Sequence, residues 1–286
     1  MSVPVTEKCL IYMGQARSSF QSRCAASPLQ PDRFAGWINS IRGRDLPQWK
    51  QTIPPILLYG FPSGTSLGLI AALEWLGEPY ELCRVDMLGE MRSPSYARLN
   101  PRHETPVLIT DDGRPISETV ALAAYLAARD PDRRISFEPR SASSDRMHQL
   151  IGFLNTGFTG AFGPLWAAME METPDPDFQA ALRRFGQAAV IERHDKLEDM
   201  VGDHPFLVGN RPCLADALLA GVARWLEFHE VADIGRWPRL QALRHRVEAD
   251  PAVLFATALE NGEQPVGNGA LKAHVLLADV IARYGQ

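Results

Sequence analysis

Two stretches of this 286-residue chain carry side chains placed to do chemistry. The first runs from Arg102 to Leu126, RHETPVLITDDGRPISETVALAAYL. Its Glu118 and Thr119 stand where a helix should begin, because Val120, Leu122, Ala123 and Leu126 follow at helical spacing. A helix start offers unpaired N–H groups and a positive dipole end, which together hold a carboxylate. Thr119 adds a hydroxyl donor there, and Glu118 can take an ammonium. The pair therefore suits the amino-acid end of a ligand, which carries both charges. Upstream, the Thr105 backbone can pair with an extended peptide ligand, strand to peptide. Ordinary helix capping is the competing reading of Glu118-Thr119. The second stretch is the loop GFPSGTS, Gly60–Ser66, which carries Ser63, Thr65 and Ser66, with Tyr59 just before it.

The elements around these residues follow from the same sequence logic. Ile56–Tyr59 is a short buried-strand run, and the loop leads into a helix from about Ser66 to Leu76, stopped at Gly77. Tyr80–Val85 reads as a second strand. Ser93-Pro94 predicts a short helix to about Leu99. Pro106 opens the β-branched run Val107–Thr110, where a proline at the first residue of a strand is tolerated. Asp111-Asp112-Gly113 is turn chemistry before the next strand. The order βαβ, helix, ββα is that of a thioredoxin-like α/β domain over residues 54–130.

Residues 131–140 are charged and proline-bearing, a linker. Residues 141–260 predict an all-α domain. One long helix covers about Ser144–Met171, kinked at Pro164, and Asp177–Val201 is another. Further helices fall in Leu207–Trp225, Trp237–Ala249 and Ala252–Leu259. Residues 261–286 form a C-terminal extension, with Gly262–Gly269 a flexible joint and Ala270–Tyr284 a last amphipathic helix. Residues 1–53 are an N-terminal extension of poor periodicity, expected to pack Trp37 and Trp49 on the body. Cys9–Met13 is too short an apolar core for a secretory signal.

The Arg102–Leu126 stretch resembles the glutathione-binding half of the cytosolic glutathione S-transferase family. There a cis-proline precedes a strand, and an acidic-hydroxyl pair starts the next helix. The resemblance covers about Ile56 to Leu259. It implies a thioredoxin-like N-terminal domain followed by an all-α C-terminal domain, and a cis Thr105–Pro106 bond. It also implies glutathione as co-substrate with no cofactor, bound by Thr105, Pro106, Glu118 and Thr119 with His103 beside them. The string GNRPCLADALLAGVARW is similar to the family's buried capping motif, with Cys213 in the capping place and Asp216 in the acid place. A thiol is a weak acceptor, so this cap should be poorer by about 1 kcal/mol.

The family ionises the glutathione thiol, whose free pKa lies near about 8.5. Lowering it takes a hydroxyl and a helix N-terminus aimed at sulfur. The resemblance offers Ser63 first, then Thr65, as in the serine- and cysteine-type classes, and then Tyr59, as in the tyrosine type. The alternatives are a strand-core Tyr59 and a merely capping Ser63 or Thr65. The flanking extensions resemble those of the bacterial nu class. Phe158, Phe162 and Trp166 recur on one helix stripe, either as an aromatic wall for a small hydrophobic electrophile or as core or dimer packing. Gly157, Gly160 and Gly163 between them suggest close approach of another group.

Composition bounds the rest. A net charge of -5 argues against a nucleic-acid partner. No apolar run approaches the roughly 18 residues of a membrane span. The four cysteines show no CxxC and the seven histidines are dispersed, so no metal is expected. Free thiols fit a cytoplasmic protein. The family resemblance adds a homodimer, supported by the small-residue surface of Ala121, Ala124 and Ala128. The leading reading is glutathione thiolate attacking a hydrophobic electrophile. Its rivals are a glutathione-dependent disulfide or peroxide reductase and a non-catalytic glutathione-binding or scaffold protein.

Overall fold

Strands β1 (Ile56–Phe61) and β2 (Tyr80–Asp86) run parallel, with Ile56 opposite Glu81 and Phe61 opposite Asp86. Parallel neighbours need a crossover, and helix α1 (Leu67–Leu76) supplies it. The computed structural model of the chain describes residues 53–173 and 175–285. The expectations for residues 1–52, including packed Trp37 and Trp49, lie outside the described residues. Helix α1 is apolar on nearly every side and is buried accordingly. It ends at Gly77, whose φ of 71° lies in the left-handed region and whose N–H caps Leu73 O.

Strand β3 (Val107–Ile109) pairs antiparallel with β1 and with β4 (Pro115–Ser117), the turn at Asp111–Gly113 joining them. Helix α2 (Thr119–Ala128) follows directly. The short helix expected from Ser93 is a tight 3-10 turn, Tyr96–Arg98, preceded by another at Glu90–Arg92. Ser93 keeps its capping role, its Oγ accepting the Tyr96 N–H at 3.3 Å.

The helical layer comprises α3 (Ala142–Gly152), α4 (Gly163–Met169), α5 (Pro176–Met200), α6 (Leu214–Ala223), α7 (Trp225–Phe228), α8 (Pro238–Glu248) and α9 (Pro251–Glu260). The single helix expected over Ser144–Met171 is broken earlier than Pro164. A wide π-turn, Phe153–Thr159, and a 3-10 turn, Gly160–Phe162, separate α3 from α4. Pro164 sits in the first turn of α4, where a missing N–H costs nothing. The glycines Gly157, Gly160 and Gly163 weaken the α-ladder here. Among the described residues nothing comes within 4 Å of a Cβ built on Gly160 or Gly163, so they mark a bend and not a close approach. Close approach occurs elsewhere: a Cβ at Gly68 of α1 would run into the Ala217 carbonyl of α6. That crossing presses the helical layer onto the crossover helix.

At the start of α6 the expected cap takes a different form. The Cys213 thiol donates to Asp216 Oδ2 at 3.1 Å, and that oxygen also accepts the Cys213 N–H at 2.9 Å. Asp216 Oδ1 accepts the Leu207 N–H at 2.9 Å, which ties the preceding loop to the helix. Burial pushes the Asp216 carboxyl up to about 6.

The largest departure from the sequence reading is at the C-terminus. Ala270–Tyr284 is not one helix. Leu271–His274 forms strand β5, which adds parallel to β2, giving the order β4-β3-β1-β2-β5. Helix α10 (Leu277–Tyr284) then covers the second face of the sheet. Its Leu277, Val280 and Ile281 pack on Ile56, Leu58, Val85 and Val107. The extension is therefore part of the α/β layer: the exposed edge of β2 recruits it as a strand.

Candidate active site

A cleft of about 360 Å³ joins the β1–α1 loop to the helical layer. Pro62, Ser63, Gly64 and Thr65 line it together with Thr105. The helical layer contributes Trp166, Met169, Trp225 and Phe228, and the segment after β2 contributes Met87, Leu88 and Met91. A larger cavity of about 560 Å³ lies beside Tyr125 and Arg129 and holds none of the expected site residues.

The Thr105–Pro106 bond is cis. The β3–β4 ladder sets Val107 opposite Ser117, so Glu118 comes one step later beside Pro106. Glu118 occupies the N-cap of α2 with φ 74°, a left-handed conformation uncommon for a side chain of this size. Its carbonyl accepts the Leu122 N–H at 3.0 Å while its carboxylate points elsewhere. That carboxylate meets Arg102 Nη2 at 2.6 Å, and the same guanidinium reaches Ser117 Oγ at 2.8 Å and, through Nε, Glu104 at 3.0 Å. Thr119 is half-buried at the first helical position. Arg102 was not among the expected residues, although it opens the very stretch that drew attention. His103 serves the local backbone instead, its Nδ1–H donating to the Met91 carbonyl at 2.8 Å. It does not line the cleft.

The loop hydroxyls divide clearly from Tyr59. Ser63 and Thr65 both line the cleft, whereas Tyr59 is only 2% exposed within the core against α1. Burial pushes the Tyr59 hydroxyl up to about 12. Tyr59 is thus the strand-core residue of the two readings. Ser63 has φ 59°, and both its backbone groups are taken by the helical layer. Its N–H donates to Glu260 Oε1 at 2.5 Å, and its carbonyl accepts Trp225 Nε1–H at 3.0 Å. Arg224 Nη2 donates to the Gly64 carbonyl at 2.8 Å and pairs with Glu260 Oε2 at 2.8 Å. Behind the loop, Ser66 Oγ accepts the Gly60 N–H at 3.0 Å.

The aromatic stripe is split between core and cleft. Phe158 and Phe162 are buried, packing with each other and with His194, and neither reaches the cleft. Trp166 does, stacked on Phe228 and edge-on to Trp225. Its Nε1–H has no hydrogen-bond partner among the described residues. Phe158 belongs to the π-turn, Phe162 to the 3-10 turn and Trp166 to α4, so the three do not share the stripe of one continuous helix. Trp225, Met87 and Phe228 line the cleft without any local signal that singles them out. Among the described residues, no group of three or more His, Cys, Asp or Glu is placed to hold a metal ion. No described helix is long and apolar enough to cross a membrane.

Known proteins resemble this chain in sequence and in fold. The description "Glutathione S-transferase, N-terminal domain" matches residues 62–129, and "Glutathione S-transferase, C-terminal domain" matches residues 174–251. Human glutathione S-transferase theta-2B is 31% identical over 188 residues, 60% of this chain and 72% of that protein. The chain belongs to the glutathione S-transferase family. Glutathione S-transferase GstA of Escherichia coli is 27% identical over 170 residues, 59% of this chain and 81% of that protein. A crystal structure of a glutathione transferase from Methylococcus capsulatus superposes with a TM-score of 0.64 at 30% identity, covering 72% of this chain and 98% of that one. The fold of this glutathione S-transferase family member is the thioredoxin-like layer plus helical layer that its motifs implied. Pro62–Ser66 of the loop, Thr105–Pro106 and Glu118-Thr119 fall inside the matched N-terminal residues. Glu260, β5 and α10 fall beyond the matched C-terminal ones.

Proposed function

We propose that the chain is a glutathione transferase that binds glutathione along Thr105 and the start of α2 and turns its thiol into a nucleophile at the Ser63–Thr65 loop. The supporting observation is that Ser63, Thr65 and Thr105 line one cleft. In this reading the cysteinyl backbone pairs with the Thr105 backbone. The γ-glutamyl carboxylate lies at the N-terminus of α2 with Thr119, and its ammonium shares the Glu118 carboxylate with Arg102.

The sulfur then lies between the loop hydroxyls and the N-terminus of α1. A hydroxyl donor and the dipole end both favour the thiolate over the thiol. Ser63 is the leading donor because Glu260 and Trp225 fix its backbone on both sides, so little reorganisation is left for the reaction. Thr65 is second, and Tyr59 is set aside because its hydroxyl is buried. Trp166, Trp225, Phe228 and the nearby methionines make the rest of the cleft a site for an apolar electrophile. Glutathione is the co-substrate, with no cofactor in the scheme, and the working unit is a homodimer.

Titrating the thiolate absorbance of bound glutathione tests this. A bound thiol that ionises well below the free one, with turnover of an aryl halide, is the expected result. Turnover of a mixed disulfide instead would mark a reductase. A bound thiol with the free value would mark a non-catalytic binding protein.

A further inference from the structure

Glu260 ends α9, far in sequence from the loop, yet its side chain is only 8% exposed and lies against it. One carboxylate oxygen accepts the Ser63 N–H and the other pairs with Arg224, which in turn holds the Gly64 carbonyl. The Glu260 carbonyl accepts from Arg84 Nη2 at 2.9 Å, and the Arg84 guanidinium covers the Phe61 ring at 3.3 Å. Thus Phe61, Ser63 and Gly64, three residues of the loop, are each held through Glu260 or its two arginines. The backbone of Ser63 needs that support. A serine at φ 59° sits in a sparsely populated region and stays there only when its surroundings over-determine it.

We propose that Glu260, with Arg224, is the positioning residue of the loop, holding Ser63 in its left-handed conformation so that its hydroxyl faces the sulfur. This rests on the loop-hydroxyl reading above. Glu260 touches neither substrate nor sulfur in it. The carboxylate itself opposes a nearby thiolate, and Arg224 and Arg84 offset that charge. The hydrogen bond to Ser63 N–H needs an acceptor, not a charge. Glutamine at position 260 therefore keeps the loop, whereas leucine releases it.

The experiment compares wild-type protein with Glu260→Gln and Glu260→Leu, and with Arg224→Met as an independent route to the same pair. For each folded variant the thiolate titration of bound glutathione, kcat, KM for glutathione and Tm are measured. Glu260→Leu should shift the bound-thiol titration toward that of free glutathione and lower kcat at least tenfold, with KM changed less than threefold. Glu260→Gln should keep most of the wild-type titration, since it still accepts from Ser63. Arg224→Met, which leaves the carboxylate unneutralised, should shift the titration in the same direction as Glu260→Leu. A Glu260→Leu protein that loses Tm but keeps the wild-type titration and kcat would reduce Glu260 to a stabilising contact and overturn the proposal. So would a Glu260→Gln protein as impaired as Glu260→Leu. If Glu260→Leu fails to fold, the titrations of Glu260→Gln and Arg224→Met decide in the same way. A wild-type protein that does not shift the thiol at all would overturn the loop-hydroxyl reading as well, a result distinct from either of these.

Discussion

Ser63 and Glu260 stand 197 residues apart in the chain and are joined by a 2.5 Å hydrogen bond from backbone N–H to carboxylate. The bond engages the backbone of Ser63, a residue that lines the cleft, and not its hydroxyl. Ser63→Ala keeps the bond and removes only the hydroxyl. We expect kcat/KM to fall by about 100-fold, the loss of one positioned donor, with glutathione affinity little changed. Tyr59→Phe should act on stability more than on the thiol, because its hydroxyl is buried away from the cleft. Thiolate titrations of Ser63→Ala, Thr65→Ala and Tyr59→Phe rank the three. A shift confined to Thr65→Ala would move the role to Thr65.

At the other end of the ligand, Glu118→Ala should weaken glutathione binding by about 1–3 kcal/mol, the cost of leaving a charged ligand group unpaired. The lower end is expected, since the Glu118 side chain is 62% exposed and solvent screens it. The fold should persist, because Glu118 caps α2 through its backbone. Calorimetry of glutathione binding gives the number, and an unchanged affinity would remove Glu118 from the site.

His194 supplies a pH test of the helical layer. Its ring is fully buried between Phe158 and Trp237, with Nδ1–H on the Val190 carbonyl and Nε2 without a partner among the described residues. Burial lowers its pKa to about 4. The unfolded chain therefore binds a proton near pH 6.5 that the folded protein refuses until about pH 4. Stability is lost as pH falls through that window, by about 3 kcal/mol for this one group. His194→Met should flatten the dependence of the urea midpoint on pH between 6.5 and 4. A mutant with the same slope as wild type would show that other groups govern it.

The C-terminal segment should behave as part of the sheet. Ile281 is buried on Leu58 and Val107, so Ile281→Ala should cost about 2–4 kcal/mol in urea unfolding. A loss under about 0.5 kcal/mol, the range of surface substitutions, would make α10 a peripheral addition.

The homodimer is tested through α2. Ala121, Ala124 and Ala128 are exposed along it, with Val120 39% exposed beside them. Light scattering at micromolar concentration should give twice the chain mass, and Ala124→Arg should give a monomer. A wild-type monomer would remove the dimer from the reading.

Local chemistry alone placed much of this molecule. Gly77 stops α1 and Asp111-Asp112-Gly113 turns β3 into β4, because each depends on backbone preferences within a few residues. Hydrophobic spacing placed most of the helical layer, though not the break between α3 and α4. The sequence also singled out the loop hydroxyls and Thr105, and the fold brings Ser63, Thr65 and Thr105 to one cleft. What it left undecided depends on partners distant in the chain. Tyr59, Phe158 and Phe162 are apolar enough for either core or cleft, and only packing assigned them to the core. Leu271–His274 has no strand signal strong enough to outweigh a helical reading, and it became a strand because β2 presented an open edge. Glu260 and Arg224 look like surface charges in any local window. They became the clamp on Ser63 only when α6, α7 and α9 closed over the loop, because a buried N–H must find an acceptor wherever the fold supplies one.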